Sequence, residues 1–395
     1  MVRAHPRWAL VGGWVGTRAL LVGQLLAFPD AFLPDVHLYV VWSQVLREGQ
    51  YPVGDPFWQY PPGAGVIFAA LPLFGPAPVL GFVCLALLAD ATILMMLLRV
   101  VDRSTPRSWW GPAAWVVGGL AVGPVMLARF DLFPTAMAVA ALVTLGRPVA
   151  SGALAGLGTL LKVWPILLLL ALPRGELRRA LPAFVVVVVG GALAITTWAA
   201  GSTAFIGEQR DRGLQVESVG AIPYLVAGAI GMDPGIVLRF GAFEIDGVGV
   251  GQVGLVLTLI GIVLLVCLAG LRLLGRLESL PGGDVALLAV IIAVATSRAF
   301  SPQYAVWLVG IGAAAACDPR SQGRRATTLL IAMASVTQVL FPWGYAPLLD
   351  TAPSAVALHI VRIALLGWAL ASIGRSVLGV AVPRLRSTSA SSTPR

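Results

Sequence analysis

The chain has 395 residues, of which 58% are hydrophobic and only 11% charged, and its net charge is +9. Soluble domains carry about 25% charged and about 45–50% apolar residues. This composition therefore excludes a soluble globular enzyme, a disordered chain and a fibre, and it makes lipid the main solvent. The positive charge is no nucleic-acid footprint, because the basic residues stand singly between apolar runs and form no stripe. No nucleic-acid partner is expected.

A membrane span needs roughly 20 apolar residues. The run 8–28 reads as a first membrane helix and not as a signal peptide. Further spans are predicted at 76–98, 111–127, 132–146, 180–200, 250–271, 284–297, 303–317, 325–341 and 355–373. Several are short, which implies tilt or burial among other helices. The run 63–74 is too brief to cross and reads as interfacial. The segment 151–172 is interrupted by Lys162 and Pro165, and it reads as two half-helices that enter and leave on one side. The expectation is an all-α polytopic membrane bundle of about 10–12 membrane helices. One membrane domain covers 1–382, and a Ser/Thr-rich disordered cytoplasmic tail covers 383–395.

Arginine placement orients the chain. With both termini cytoplasmic, most arginines fall inside, and only Arg47, Arg129, Arg210, Arg212, Arg239 and Arg298 fall outside. The long connections 29–62 and 201–249, with most of the acids, then face outward. A multi-pass cell-membrane protein with its functional site on the outer face is expected. Cys84, Cys267 and Cys317 lie in apolar stretches at spacings that match no metal motif. They read as small buried hydrophobes, with no disulfide and no metal.

The first long connection opens with a helical pattern that Gly49 ends, with Asp35 at its N-terminal end. An aspartate there can serve as an N-cap, or as a general base at the lipid–water boundary. Trp58, Gln59, Tyr60, Pro61 and Pro62 form a stiff return toward the membrane. Arg129 and Asp131 stand two apart at a helix end, where they can pair with each other. The stretch 208–218 gathers Glu208, Arg210, Asp211, Arg212, Gln215 and Glu217. It reads as a solvated loop or as a polar pocket in which arginine forks grip phosphate. Arg298, Gln303 and Tyr304 sit at the mouth of a hairpin between two spans. Lys162 is the only lysine and lies at membrane depth. Such a group either finds a partner and a function or snorkels to the interface. Arg18, Arg362 and His359 also lie in or near spans, and Asp90 reads as structural.

Asp35 and Tyr39, followed by Tyr60-Pro61-Pro62, resemble the first external loop of the polyprenol-phosphate-sugar-dependent transferases of the GT-C superfamily. More narrowly, the chain resembles glycosyltransferase family 87, whose members include polyprenol-phosphate-mannose-dependent α-mannosyltransferases of actinobacteria. The matching segments are Arg129-Phe130-Asp131-Leu132-Phe133-Pro134, Leu161-Lys162-Val163-Trp164-Pro165, Arg212-Gly213-Leu214-Gln215-Val216-Glu217-Ser218 and Ser301-Pro302-Gln303-Tyr304. Arg298 stands where the resemblance leads one to expect lysine.

The resemblance implies a GT-C-type bundle with interfacial helices in the first external loop. It implies transfer of a single sugar, mannose above others, from a polyprenyl-phosphate donor to a hydroxyl of a glycolipid or polysaccharide. It assigns Asp35 as the base. Arg298, Arg210, Arg212 and Lys162 are then candidates to hold the donor phosphate. Tyr39, Trp58, Tyr60, Arg129, Asp131, Gln215, Glu217, Gln303, Tyr304 and His359 are candidates to bind substrate. No cofactor is expected, and inversion at the sugar carbon follows from direct attack. The alternative from another class is a secondary transporter or a lipid-linked-sugar flippase.

Overall fold

Proline costs nothing at the first helical position, where its missing N–H would have no partner. In the computed structural model, which describes residues 6–208 and 213–381, proline heads each of the first five helices. These are α1 (Pro6–Ala27), α2 (Pro29–Phe32), α3 (Pro34–Arg47), α4 (Pro62–Ala69) and α5 (Pro78–Arg103). There follow α6 (Trp110–Val122), α7 (Leu132–Val143), α8 (Pro148–Leu161), α9 (Arg174–Trp198), α10 (Phe205–Glu208) and α11 (Ile222–Ala229). The chain ends through α12 (Val250–Leu273), α13 (Gly282–Ala295), α14 (Tyr304–Ala316), α15 (Arg324–Leu340), α16 (Tyr345–Leu349) and α17 (Pro353–Ala381). The expected all-α polytopic bundle is thus observed, with helix bounds close to the predicted spans.

Five helices, α1, α5, α9, α12 and α17, are long and apolar enough to cross a membrane. The others are shorter, and burial explains why. Nearly every side chain of α13 and α14 is buried among other helices, so their lengths need not match the bilayer. By contrast α9 and α12 leave valines, leucines and isoleucines exposed along much of their length, as a lipid-facing helix does. Cys84 and Cys267 lie exposed and only Cys317 is buried. This corrects the expectation of three buried thiols, because a lipid-facing surface accepts a small apolar group as readily as a core does.

The interruption at 162–165 is real. Pro165 lacks an N–H, and its ring would clash with the carbonyl of Leu161 if α8 continued. So α8 ends at Leu161, Lys162 adopts extended backbone, and a 3-10 segment (Trp164–Ala171) turns back. Its last carbonyls are satisfied at the far end of the bundle. The buried Arg272 guanidinium donates to the carbonyls of Leu172 (2.8 Å) and Ala171. The segment is therefore the expected pair of half-helices that start and finish at one end. At the N-terminal side Arg18 forms a buried pair with Asp90 (2.8 Å), and Trp14 donates to the same carboxylate. Asp90 is structural, as expected.

The start of the run 63–74 packs into the bundle, with Pro62, Gly63, Ala64, Gly65 and Phe68 of α4 buried, while Val66 and Leu73 stay exposed. A Cβ on Gly63 would meet the Leu160 carbonyl at 2.6 Å, so glycine permits this close approach. The connection 201–249 holds a three-stranded antiparallel sheet that the sequence reading treated as loop. Its strands are β1 (Leu214–Gln215), β2 (Ile236–Arg239) and β3 (Ala242–Ile245), in the order β1-β3-β2. Leu214 faces Ile245, and Arg239 faces Ala242 across a two-residue turn. The expected tail over 383–395 lies outside the described residues.

Candidate active site

A cavity of about 800 Å³ opens at the end of the bundle where Lys162 breaks the helix. One wall is a single face of α3. Asp35, Leu38, Tyr39 and Trp42 recur at helical spacing and all line the cavity. Asp35 is not an N-cap. Leu33 occupies that position, and Pro34 and Asp35 lie in the first turn. The carboxylate is held by Arg129, whose Nε lies 2.9 Å from its Oδ2. Arg129 also donates to the carbonyls of Phe32 and Ala128 (3.0 and 3.1 Å). These three contacts leave it little freedom to swing away.

Asp131 does not pair with Arg129. Arg129 is pulled to α3, and Asp131 turns to Lys162 Nζ (2.7 Å) and to Trp307 Nε1 (2.7 Å), all on its Oδ1. Lys162 accordingly does not snorkel. It lines the cavity, with the rings of Tyr60, Trp307 and Tyr304 centred 5.1–5.7 Å from its nitrogen. Aromatic faces attract an ammonium, so the break in α8 delivers a cation to a site walled by three rings. Beneath this layer Tyr39 and Tyr60 share a hydrogen bond (2.9 Å). Burial pushes both phenols well above their ordinary pKa, and the Asp35 carboxylate adds to the shift. Both stay protonated and can only donate or accept hydrogen bonds.

A second polar cluster forms another part of the cavity wall. Gln215 accepts from the Phe300 N–H (2.9 Å) and the Ser301 hydroxyl (3.3 Å), and donates to Glu217 Oε2 (3.2 Å). Glu217 Oε1 takes a bond from Arg362 (2.8 Å), which also donates to the Phe300 carbonyl (3.0 Å). In the sequence Arg362, on α17, is only a charge within a span. It is the partner that lets Glu217 stay buried. The β2–β3 hairpin roofs the cavity, with Leu238, Phe240, Gly241, Ala242 and Phe243 on its surface.

Of the candidates named from sequence, Asp35, Tyr39, Tyr60, Arg129, Lys162, Gln215, Glu217, Gln303 and Tyr304 line this one cavity. Asp131 sits directly behind Lys162. Three others stand apart. Trp58 is buried in the aromatic cluster with Trp42, Tyr51 and Phe68, because its large ring fills the gap under α4. Arg298 lies against Gly254 of α12 and offers its carbonyl to the Gln215 N–H. His359 is fully buried in α17, one turn before Arg362, and is not on the cavity surface. Arg210 and Arg212 lie outside the described residues. Among the described residues no three His, Cys, Asp or Glu side chains gather as metal ligands would.

The cavity therefore offers a carboxylate, an ammonium, paired phenols and a wall of hydrogen-bonding groups at the end of a membrane-type bundle. Neither the curated proteins nor the solved structures include a significant match to the chain. Residues 58–302, more than half of the chain, match the model of glycosyltransferase family 87. By that match the chain belongs to glycosyltransferase family 87, as a multi-pass membrane glycosyltransferase.

Proposed function

We propose that the protein transfers one sugar from a polyprenyl-phosphate donor to a hydroxyl of a glycolipid or polysaccharide, with Asp35 as the base. The observation that carries this reading is the union of two surfaces in one cavity. Asp35 and Lys162 stand at its polar end. Beside Lys162 runs an apolar wall of Val163, Ile166, Leu167, Leu265, Val290 and Val294. Val163 and Ile166 are exposed as well as cavity-lining. A substrate with a charged head and a long hydrocarbon tail matches both surfaces, and a soluble nucleotide sugar would leave the apolar wall without a partner.

The chemistry follows from the placement. Asp35 removes the proton of the acceptor hydroxyl as its oxygen attacks the sugar's anomeric carbon. The bond from that carbon to the phosphate oxygen breaks, and its electron pair leaves with the lipid phosphate. Lys162 meets the charge that develops there. Attack opposite the phosphate inverts the centre, so a β-linked donor yields an α-linked product. Arg129 holds the carboxylate in place, and Gln215, Gln303 and the Tyr39–Tyr60 pair supply hydrogen bonds to hydroxyls. Mannose is the sugar the family resemblance favours. The site faces outward and both termini are cytoplasmic in this reading, in keeping with arginine placement.

The test is a transfer assay with purified protein in lipid nanodiscs. Synthetic polyprenyl-phosphate mannose, glucose and arabinose are each supplied with a membrane-lipid extract, and products are read by mass spectrometry. Polyprenyl-phosphate mannose is expected to give a product one hexose heavier than an acceptor lipid or glycan. Transfer from nucleotide sugars with none from any polyprenyl phosphate would overturn the reading.

A further inference from the structure

The hairpin over the cavity breaks a local rule. Its strands are joined by Phe240 and Gly241 alone, and both have positive φ, +50° and +70°. A type I′ turn demands such angles, which Asn-Gly or Asp-Gly provide at little cost. Gly241 obeys the rule, and a Cβ there would meet the Phe57 ring at 2.8 Å. Phe240 does not. A bulky side chain in the left-handed region is a genuine outlier, and such strain persists where the surroundings impose it, most often at functional sites.

The surroundings do impose it. Gln59 Nε2 donates to the Phe240 carbonyl at 2.6 Å and ties the tip to the first connection. The Phe240 side chain is half-buried and lines the cavity. Its neighbours on the cavity wall are spoken for, since Tyr39, Trp42, Tyr60, Tyr304 and Trp307 all pack ring against ring. Among the described residues no aromatic ring packs against Phe240. An aromatic that strains its own turn and serves no ring cluster has a face open to the cavity that Asp35 and Lys162 also line.

Resting on the sugar-transfer reading, we propose that Phe240 is a substrate-stacking residue, whose ring covers the apolar C–H face of a sugar in the cavity. A pyranose has such a face, and a flat ring covers it with large contact area at low entropic cost. The residue sets specificity by ring orientation and takes no part in proton transfer.

The test compares Phe240→Asn, Phe240→Leu and Phe240→Tyr in nanodiscs, by thermal unfolding and by transfer kinetics with each substrate varied in turn. Asparagine tolerates the left-handed region, so Phe240→Asn is expected to raise Tm above that of the unsubstituted protein. The same variant should raise the KM of one substrate about tenfold while kcat changes little. Phe240→Leu should lose the same KM advantage, and Phe240→Tyr should keep it. A lower Tm for Phe240→Asn would show a packing residue and overturn the proposal. So would an unchanged KM in Phe240→Leu, which would show that any apolar group suffices. Failure of the unsubstituted protein to transfer from any donor sinks the sugar-transfer reading and the proposal with it, and that control separates the two failures.

Discussion

Two ionic clusters border the same cavity, and they differ in how much of each is open. On the α3 side, Asp35 keeps 38% of its side chain exposed beside Arg129, and Lys162 keeps 19% beside Asp131. On the α17 side, Glu217 and Arg362 are 2% and 0% exposed. In the first cluster each pair has one sealed member that holds one open member. In the second both members are sealed. An open charge can accept a proton or meet a phosphate, whereas a sealed pair can only fix the backbone around it. Removing one member of a buried pair leaves a charge without a partner, and that is costly. The same bond length, 2.7–2.9 Å throughout, thus leaves a charge open to the cavity in one cluster and none in the other.

This contrast can be broken most directly at Asp35. Asp35→Asn should lower transfer by about 10²- to 10⁴-fold, the range of a general base. Its Tm should stay near that of the unsubstituted protein, because Asp35 is half-exposed. A near-normal rate would remove the base, and a large fall in Tm would erase the distinction between the walls. Lys162 comes next. To keep Asp131 from being left with a bare charge, Lys162→Gln is made together with Asp131→Asn. The double variant should lose about 10²- to 10³-fold in kcat, as for removal of one charge-stabilising donor. If its kcat holds and only folding suffers, Lys162 belongs to the architectural class.

The sealed pair should behave in the opposite way. Arg362→Met is expected to cost about 3–5 kcal/mol of stability, read as a fall in the melting transition. Adding Glu217→Gln should recover most of it, since neither partner then carries a buried charge. Should Arg362→Met melt normally, Glu217 is not held as described. The smallest effect belongs to an exposed pair at a distance from the cavity, Asp318 with Arg320 (2.8 Å). The hydrogen bond from Arg320 holds the Asp318 carboxyl below its ordinary 3.8. A depressed carboxyl stabilises the fold above that pH and loses its contribution as pH falls through the lower folded value. Asp318→Asn should therefore cost under about 1 kcal/mol at pH 7 and nothing in strong acid, as melts across pH would show.

Much of the site was legible because charge is rare in this chain. Asp35, Arg129, Asp131, Lys162 and Glu217 each stand out against apolar neighbours, and burying any of them requires a reason. Their partners were not legible. Arg129 and Asp131 are close in sequence and yet bond to groups on different elements, because α3 and the broken end of α8 reach them first. Trp58 resembled its neighbour Tyr60 in sequence, but one ring fell behind the other. The hairpin is not legible in the sequence, although Ile236–Arg239 and Ala242–Ile245 flank a Gly241 turn. Phenylalanine stood where a turn of that kind calls for asparagine or aspartate, so the usual signal was missing at the position that departs from the rule.

What the sequence determined alone was everything that depends on local composition. Apolar runs specify helices that live in lipid, prolines set where those helices start, and Pro165 forces the break that frees Lys162. Only the tertiary structure decided which charges face the cavity and which are sealed behind it. That outcome depends on distances between residues far apart in the chain, and an ion pair gains or loses its energy through its surroundings and not through its own two residue types.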